Sequence, residues 1–240
     1  MKESGRKIRI ALLGLGTVGG GVYKLMQRRR EELPLRVHQA ELEIVKVLVR
    51  DLTKKREGIP SEILTDDWES IVNDPQIDIV IELMGGITPA HTYIRQALEA
   101  GKHVVTANKD LIAEHGGELL DLAEKHHCDL LFEAAVGGGI PIIRPLKECL
   151  EGNEITEVMG IVNGTTNYIL TKMTQEGMDF EEALKKAQEL GFAEADPTAD
   201  VEGLDAGRKM AILASIAFHS RVRFQDVEVK GITKITAKDI

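Results

Sequence analysis

The sequence predicts an α/β fold: a doubly wound parallel sheet over the first half of the chain, followed by a smaller α+β portion. Three observations carry this expectation. Short apolar runs alternate with helical patterns from Ile8 to Glu133, the rhythm of βαβ units. Several of those runs are continuously apolar, as strands are when both faces of a sheet are covered. The rhythm then breaks near Ala134, where the string AAVGGGIPII brings three consecutive glycines and a proline. At 240 residues the chain has length for two modest domains, expected to divide as 1–134 and 135–240.

In chain order, strands are expected at Ile8–Leu13, Glu43–Val49, Ile77–Glu82, His103–Thr106 and Leu130–Glu133. Helical stretches lie between them near Val18–Arg30, Trp68–Val72, Pro89–Ala100 and Lys109–His126, with Gly101 as a helix stop. Beyond the break come a helix over Pro141–Leu150, a strand over Ile155–Val162 and a helix from about Thr166 to Glu176. Asp179 with Glu182 forms a capping box for the next helix. Phe180, Ala183, Leu184 and Ala187 then follow the i, i+3, i+4, i+7 spacing of one buried stripe. A further helix covers Leu204–Phe218, and Val227–Ile240 reads as β-prone.

A net charge of −9 argues against nucleic acid or an anionic membrane as partner. The run Arg28-Arg29-Arg30 suits the C-terminal end of a solvated helix. Membrane spans need about 20 apolar residues, which no stretch supplies, and no signal peptide opens the sequence. Cys128 and Cys149 lack CxxC spacing, so reduced thiols and a cytoplasmic setting are expected. His126-His127-Cys128 places adjacent side chains in different directions and is not expected to bind metal.

Gly14-Leu15-Gly16-Thr17-Val18-Gly19 follows a strand and opens a helix inside a βαβ unit. In that context GxGxxG is a dinucleotide fingerprint and the sheet is Rossmann-type. Gly14 permits the tight turn, Gly16 lets backbone approach a pyrophosphate, and Gly19 allows close helix–strand packing. The second strand ends in Val49-Arg50-Asp51. Arg50 stands roughly where an NAD-specific fold prefers an acid, and Lys54, Lys55 and Arg56 add positive field nearby, which favours NADP(H) with NAD(H) tolerated. Asp51 could instead take a ribose hydroxyl, and Arg50 could be an ordinary surface residue. The loops Met84–Pro89, with Thr88, and Thr106–Lys109 follow later strands, where ligands of open α/β sheets bind. Lys109 there faces either the site or solvent.

The stretch Ala187–Lys209, AQELGFAEADPTADVEGLDAGRK, gathers Glu194, Asp196, Asp200, Glu202 and Asp205 into a Gly/Pro-broken segment that ends on a helical lysine. Carboxylates bind ammonium groups, and a lysine held among them can exchange a proton with a substrate oxygen. Lys209 lies one turn after Asp205, on the same helix face.

This segment resembles the signature of homoserine dehydrogenases at Ala187, Gly191, Phe192, Asp196, Pro197, Asp200, Gly203, Asp205 and Lys209. Val162–Tyr168 resembles the family's second signature, and Gly85–Ala90 and Ala107-Asn108-Lys109 are similar to two of its loops. The resemblance covers essentially all of the chain from Ile8 on. It implies NAD(P)-dependent interconversion of L-homoserine and L-aspartate 4-semialdehyde, on the way to threonine and methionine, by a homodimer. The second portion becomes a partial substrate and dimerisation domain. Lys209 is then the general acid/base, with Lys109 beside nicotinamide and substrate. Glu194 and Asp205 bind the amino acid, Asp200 shapes the acidic shell, and Thr165 enters a helix whose amides face the substrate. The resemblance also implies a sodium-type cation held by main-chain oxygens of Glu133, Val136, Gly138 and Ile140, where the three glycines otherwise make a hinge.

Family members continue past the point matching Ile240, so the sequence is expected to be a C-terminally shortened piece. Two other readings stay open: an inactive NAD(P)-binding fragment, and another Rossmann oxidoreductase sharing Gly101-Lys102-His103-Val104 but not explaining Gly203–Lys209.

Overall fold

The computed structural model describes residues 6–236 and 238–240. The chain forms two compact units, one ending at Gly138 and the other spanning Gly139–Ile240.

The first unit is built on six parallel strands: β1 (Lys7–Leu13), β2 (Glu41–Leu48), β3 (Leu64–Thr65), β4 (Ile79–Glu82), β5 (His103–Thr106) and β6 (Leu130–Leu131). Their spatial order is β3-β2-β1-β4-β5-β6, the Rossmann order that reverses direction between β1 and β4. Helices α1 (Thr17–Arg28), α2 (Leu33–Arg36), α3 (Glu69–Val72), α4 (Ala90–Glu99) and α5 (Lys109–Lys125) connect them. The continuous apolar runs are explained by double-sided cover. Ile10 and Leu12 cluster with Tyr23 of α1 and with Ile44 and Val47 of β2, while the alternate residues Ala11 and Leu13 are equally buried. Ile94, Ala97 and Leu98 of α4 and Leu111, Ala113 and Leu119 of α5 complete the unit's core.

Two elements were not legible in the pattern. β3 is two residues long and exists because Val47 and Leu48 offer it a ladder, with Leu64 and Thr65 as partners. The helix α2 is a single turn with Pro34 in its first turn. Lys102 is also a surprise: it is buried, and its ammonium donates to the carbonyls of Asp74 (2.6 Å) and Ile77 (3.0 Å). Burial pushes its pKa below the ordinary lysine value, and nearby Asp74 and Asp78 partly oppose this. The Gly101–Val104 string therefore holds the lysine that ties the β4 and β5 approaches together.

The second unit contains α6 (Gly164–Glu176), α7 (Phe180–Glu189), α8 (Thr198–Val201) and α9 (Leu204–Ala217). Ile169 and Met173 of α6 pack with Ala183 and Ala187 of α7, flanked by Phe180 and Leu184, so the predicted stripe faces a core. Only half of the predicted capping box forms, with the Asp179 carboxylate accepting from the Glu182 amide at 2.8 Å.

Three predicted elements differ. Residues 155–162 form no strand, and Met159 and Ile161 are 84% and 78% exposed. A strand needs a ladder partner, and the second unit offers none among the described residues. The same reason applies to the tail from Val227. It turns instead over α8 and α9, with the Ile232 amide donating to the Val201 carbonyl at 2.7 Å. The helix expected over Pro141–Leu150 is shorter and wound more widely: it is helical from residue 143 and π-type over Pro145–Cys149, where the Leu150 amide reaches back five residues to the Pro145 carbonyl at 3.1 Å.

Candidate active site

The first unit carries a cleft of about 750 Å³ at the carboxyl ends of β1, β2 and β4. Gly14, Leu15 and Gly16 line it, facing Leu83, Met84, Gly85 and Thr88. Each glycine of the fingerprint has its own physical cause. Gly14 adopts φ +91°, and a Cβ there would lie 2.9 Å from the Leu83 carbonyl oxygen. At Gly19 a Cβ would lie 2.2 Å from the Gly14 carbonyl oxygen, so α1 can touch the β1 turn only without a side chain. A Cβ on Gly16 would meet nothing within 4 Å, so packing within the protein does not demand glycine there, and the backbone at this turn stays open to a close approach from outside. Gly16 is the N-cap of α1, no side chain caps the helix and no acid lies in its first turn. Thr17 and Val18 are exposed in that turn. Its amides and positive dipole end are thus available to an anion. The residues present fit a dinucleotide.

Beyond β2 the cleft is lined by Arg50, Asp51, Lys54 and Arg56. Arg56 donates to the carbonyls of Asp51 (2.9 Å) and Lys54 (2.8 Å), curling this loop. One oxygen of Asp51 accepts from the Thr53 hydroxyl (2.6 Å) and amide (2.8 Å). Those bonds hold the Asp51 carboxyl below the usual carboxylate range. Arg50 is exposed at the cleft.

A buried polar network that the sequence did not single out holds the next two loops. Glu82, fully buried, accepts from the amides of Met84 (2.8 Å) and Gly85 (3.2 Å) and from the Thr106 hydroxyl (2.7 Å). Thr106 in turn accepts from the Asn108 amide at 2.9 Å, and Asn108 donates to the Gly86 carbonyl at 2.6 Å. The Asn108 side-chain oxygen caps α5 at the Leu111 amide. The loop that supplies Thr88 and the helix that opens with Lys109 are thereby fixed to one carboxylate. Its signal in the sequence is an acid at the end of the otherwise apolar run IVIE.

In the second unit the acidic segment builds a separate cluster. The Lys209 ammonium lies 2.8 Å from the Asp205 carboxylate and donates to the Val162 carbonyl at 2.8 Å. Both side chains are largely withdrawn from water, 15% and 9% exposed. Asn163 donates to Asp200 (2.7 Å) and Asp205 (2.9 Å), while its carbonyl oxygen accepts from the amide and hydroxyl of Thr166. One amide side chain therefore caps α6 and aligns two carboxylates. Sequence reasoning did not select Asn163; its N-cap position ahead of Gly164-Thr165 was the available clue. Thr165 donates from its hydroxyl to the Phe192 carbonyl at 2.7 Å. Glu194 is exposed on the loop, whose carbonyl at that residue accepts from Gln188 at 3.1 Å. Asp196 does not join the cluster directly but accepts from the hydroxyl (2.6 Å) and amide (3.1 Å) of Thr198, setting the start of α8.

Of the residues considered for a cation, Glu133 opens a 3₁₀ turn, Val136 is buried and Gly138 has φ +60°. Ile140 is 74% exposed.

The family model for the homoserine dehydrogenase NAD-binding domain matches residues 14–133, and that for homoserine dehydrogenase matches 141–240. The chain belongs to the homoserine dehydrogenase family. It is 56% identical over 238 residues to a homoserine dehydrogenase of Bacillus subtilis, covering 98% of this chain and 54% of the relative. To a homoserine dehydrogenase of Corynebacterium glutamicum it is 51% identical, covering 100% and 54%. The crystal structure of a homoserine dehydrogenase from Thiobacillus denitrificans superposes with TM-score 0.92 at 45% identity, covering 99% of this chain and 55% of that one. A hyperthermophilic archaeal homoserine dehydrogenase in complex with NADPH superposes with TM-score 0.82 at 29% identity, covering 96% and 76%. The chain spans about half the length of the curated relatives it matches. No helix among the described residues is long and apolar enough to cross a membrane.

Proposed function

We propose that this chain carries out the homoserine dehydrogenase reaction, the reversible NAD(P)-dependent interconversion of L-homoserine and L-aspartate 4-semialdehyde. One observation supports it above others: in a chain of this family, a largely buried lysine is held between Asp205 and the Val162 carbonyl at the end of an acidic segment. In the reductive direction the Lys209 ammonium gives its proton to the aldehyde oxygen. In the oxidative direction the neutral amine takes the hydroxyl proton, a transfer that requires hydrogen-bond reach. A nicotinamide cofactor, when bound, would supply or accept the hydride at the carbon that bears this oxygen. We assign residues 1–134 to the cofactor and 135–240 to the substrate.

Asp205 orients Lys209, and with Glu194 it accepts from the substrate ammonium; Asn163 keeps Asp205 in place, and Asp200, which accepts from the same Asn163 amide, shapes the acidic shell. The first turn of α6, with Thr165, offers amides to the substrate carboxylate. Lys109 contributes a second cation at the start of α5. NADP(H) is the favoured cofactor: Arg50 at the cleft is free of the loop bonds that engage Arg56 and Asp51, and a guanidinium suits a 2′-phosphate. A monovalent cation at Glu133, Val136, Gly138 and Ile140 is supported by the left-handed Gly138, which lets the backbone curl. A homodimer and a cytoplasmic setting complete the proposal; free thiols at Cys128 and Cys149 are consistent with the latter.

The test follows NADPH absorbance with aspartate 4-semialdehyde, alongside NADPH titration by fluorescence. Turnover supports the reading. Cofactor binding without turnover identifies an inactive nucleotide-binding piece, and turnover only with other alcohols or carbonyls a different oxidoreductase.

A further inference from the structure

We propose that His91, His115 and Glu118 form a binding site for a borderline divalent transition-metal ion such as Zn²⁺, outside the cofactor and substrate sites. His91 lies in the first turn of α4, and His115 and Glu118 sit three residues apart on α5, where side chains share a face. One ligand atom from each lies within 4.8 Å of the other two. His91 Nε2 is 3.5 Å from Glu118 Oε2, and His115 Nδ1 is 3.7 Å from the same oxygen. These distances exceed hydrogen-bond length. They match the edges of a tetrahedral coordination shell, about 3.4 Å for metal–ligand bonds near 2.1 Å.

A second observation points the same way. His91 Nε2 is sealed from solvent and has no hydrogen-bond partner among the described residues, which is costly for a buried polar nitrogen and corrected by a metal bond. The two imidazole rings stand 4.4 Å apart, tilted by 36° to each other, beside the same Glu118 carboxylate. Two imidazoles and a carboxylate are the donor set of Zn²⁺ and its neighbours, with water as fourth ligand. The ion would tie the start of α4 to α5. The amide of His91 already donates to the Ile87 carbonyl at 2.8 Å, one residue from Thr88 of the cofactor cleft.

The experiment uses the untagged chain, stripped with chelator and titrated with Zn²⁺ by calorimetry, with Co²⁺ absorption reporting geometry. Expected are one Zn²⁺ per chain, a tetrahedral Co²⁺ spectrum, and a thermal midpoint that rises with Zn²⁺ concentration as linkage requires. His115→Ala and Glu118→Gln should each weaken binding at least about tenfold and remove the midpoint shift, while Cys149→Ser changes neither. Absence of saturable binding, equal affinity in the Glu118→Gln protein, or loss of binding in the Cys149→Ser protein would overturn the site.

Discussion

The Lys209 ammonium and the Asp205 carboxylate are 2.8 Å apart on successive turns of α9, and little of either side chain reaches water. A surface pair at this spacing would contribute about 0.2–0.5 kcal/mol; in a largely dehydrated position, loss of one partner costs several times more. Structural and chemical roles can nevertheless be separated. Lys209→Ala is expected to lower kcat by ~10²–10⁴, the usual contribution of general acid/base catalysis, with NADPH affinity nearly unchanged. Lys209→Arg keeps a cation for Asp205 but cannot give up its proton, so it should be slow and stable. Steady-state rates with thermal melts check this, and a Lys209→Ala protein that kept most of its rate would shift the role to Lys109 or a water.

Asn163 serves a helix and a charge cluster at once. Asn163→Ala removes the α6 cap, a change costing about 0.5–2 kcal/mol, and frees Asp200 and Asp205 from their shared donor. Asn163→Asp is the sharper variant. Aspartate caps helices well, but here it would face two carboxylates, so the protein should melt lower than the parent at neutral pH and recover part of the difference on acidification. Denaturant unfolding at two pH values measures it; equal stability of both proteins at neutral pH would argue against the described contacts.

How far the sequence alone leads differs between the units. In the first, most strands lie in apolar runs that recur between helical patterns, and the fingerprint glycines mark β1 and α1 by themselves. Only β3 and α2 escape, being too short to carry a period. In the second unit the helices are legible from caps and stripes, yet Ile155–Val162 and the tail look β-prone and form no ladder. Strand propensity describes fitness for a pleated surface, and a segment without a neighbouring strand cannot realise it. At the site, the pairing of Lys209 with Asp205 is readable because helix spacing puts i and i+4 on one face, whereas their roles come from the resemblance of the surrounding segment. Asn163 lies 42 positions from Asp205, and Glu82 meets Thr106 across two strands; no local pattern encodes such meetings.

The glycines of the cofactor turn should separate under mutation. Gly16→Ala places its methyl in open space, so the melting midpoint should hold while NADPH affinity falls. Gly19→Ala drives a Cβ into the Gly14 carbonyl, forcing α1 off the turn at a cost of about 1–3 kcal/mol, and cofactor affinity falls with stability. Paired melts and fluorescence titrations compare them. A Gly16→Ala protein that bound NADPH like the parent would detach the pyrophosphate from this turn.

Arg50 tests the choice of cofactor. If its guanidinium pairs with a 2′-phosphate, Arg50→Ala removes a charge-assisted bond worth about 1.5–3 kcal/mol. KM for NADPH should then rise by roughly 10–100-fold and that for NADH hardly change. The ratio of kcat/KM for the two cofactors is the readout. A strong NADH preference in the parent, abolished by Asp51→Ala, would reverse the assignment.

Acid should loosen the acidic segment of the second unit through Asp196. Its carboxyl is held below the ordinary range, chiefly by the Thr198 hydroxyl and then by the Thr198 amide. A depressed folded-state pKa means that the folded chain binds fewer protons than the unfolded one. The stabilisation is therefore fully present above the unfolded-state value and disappears as pH falls through the folded one. Asp196→Asn leaves the turn without this titration. Urea unfolding from neutral pH into the acid range should show the parent losing stability more steeply than Asp196→Asn in the carboxylate window and below it. Parallel curves would mean that the bonds between Asp196 and Thr198 contribute nothing to holding the start of α8, and with it Asp200, in place.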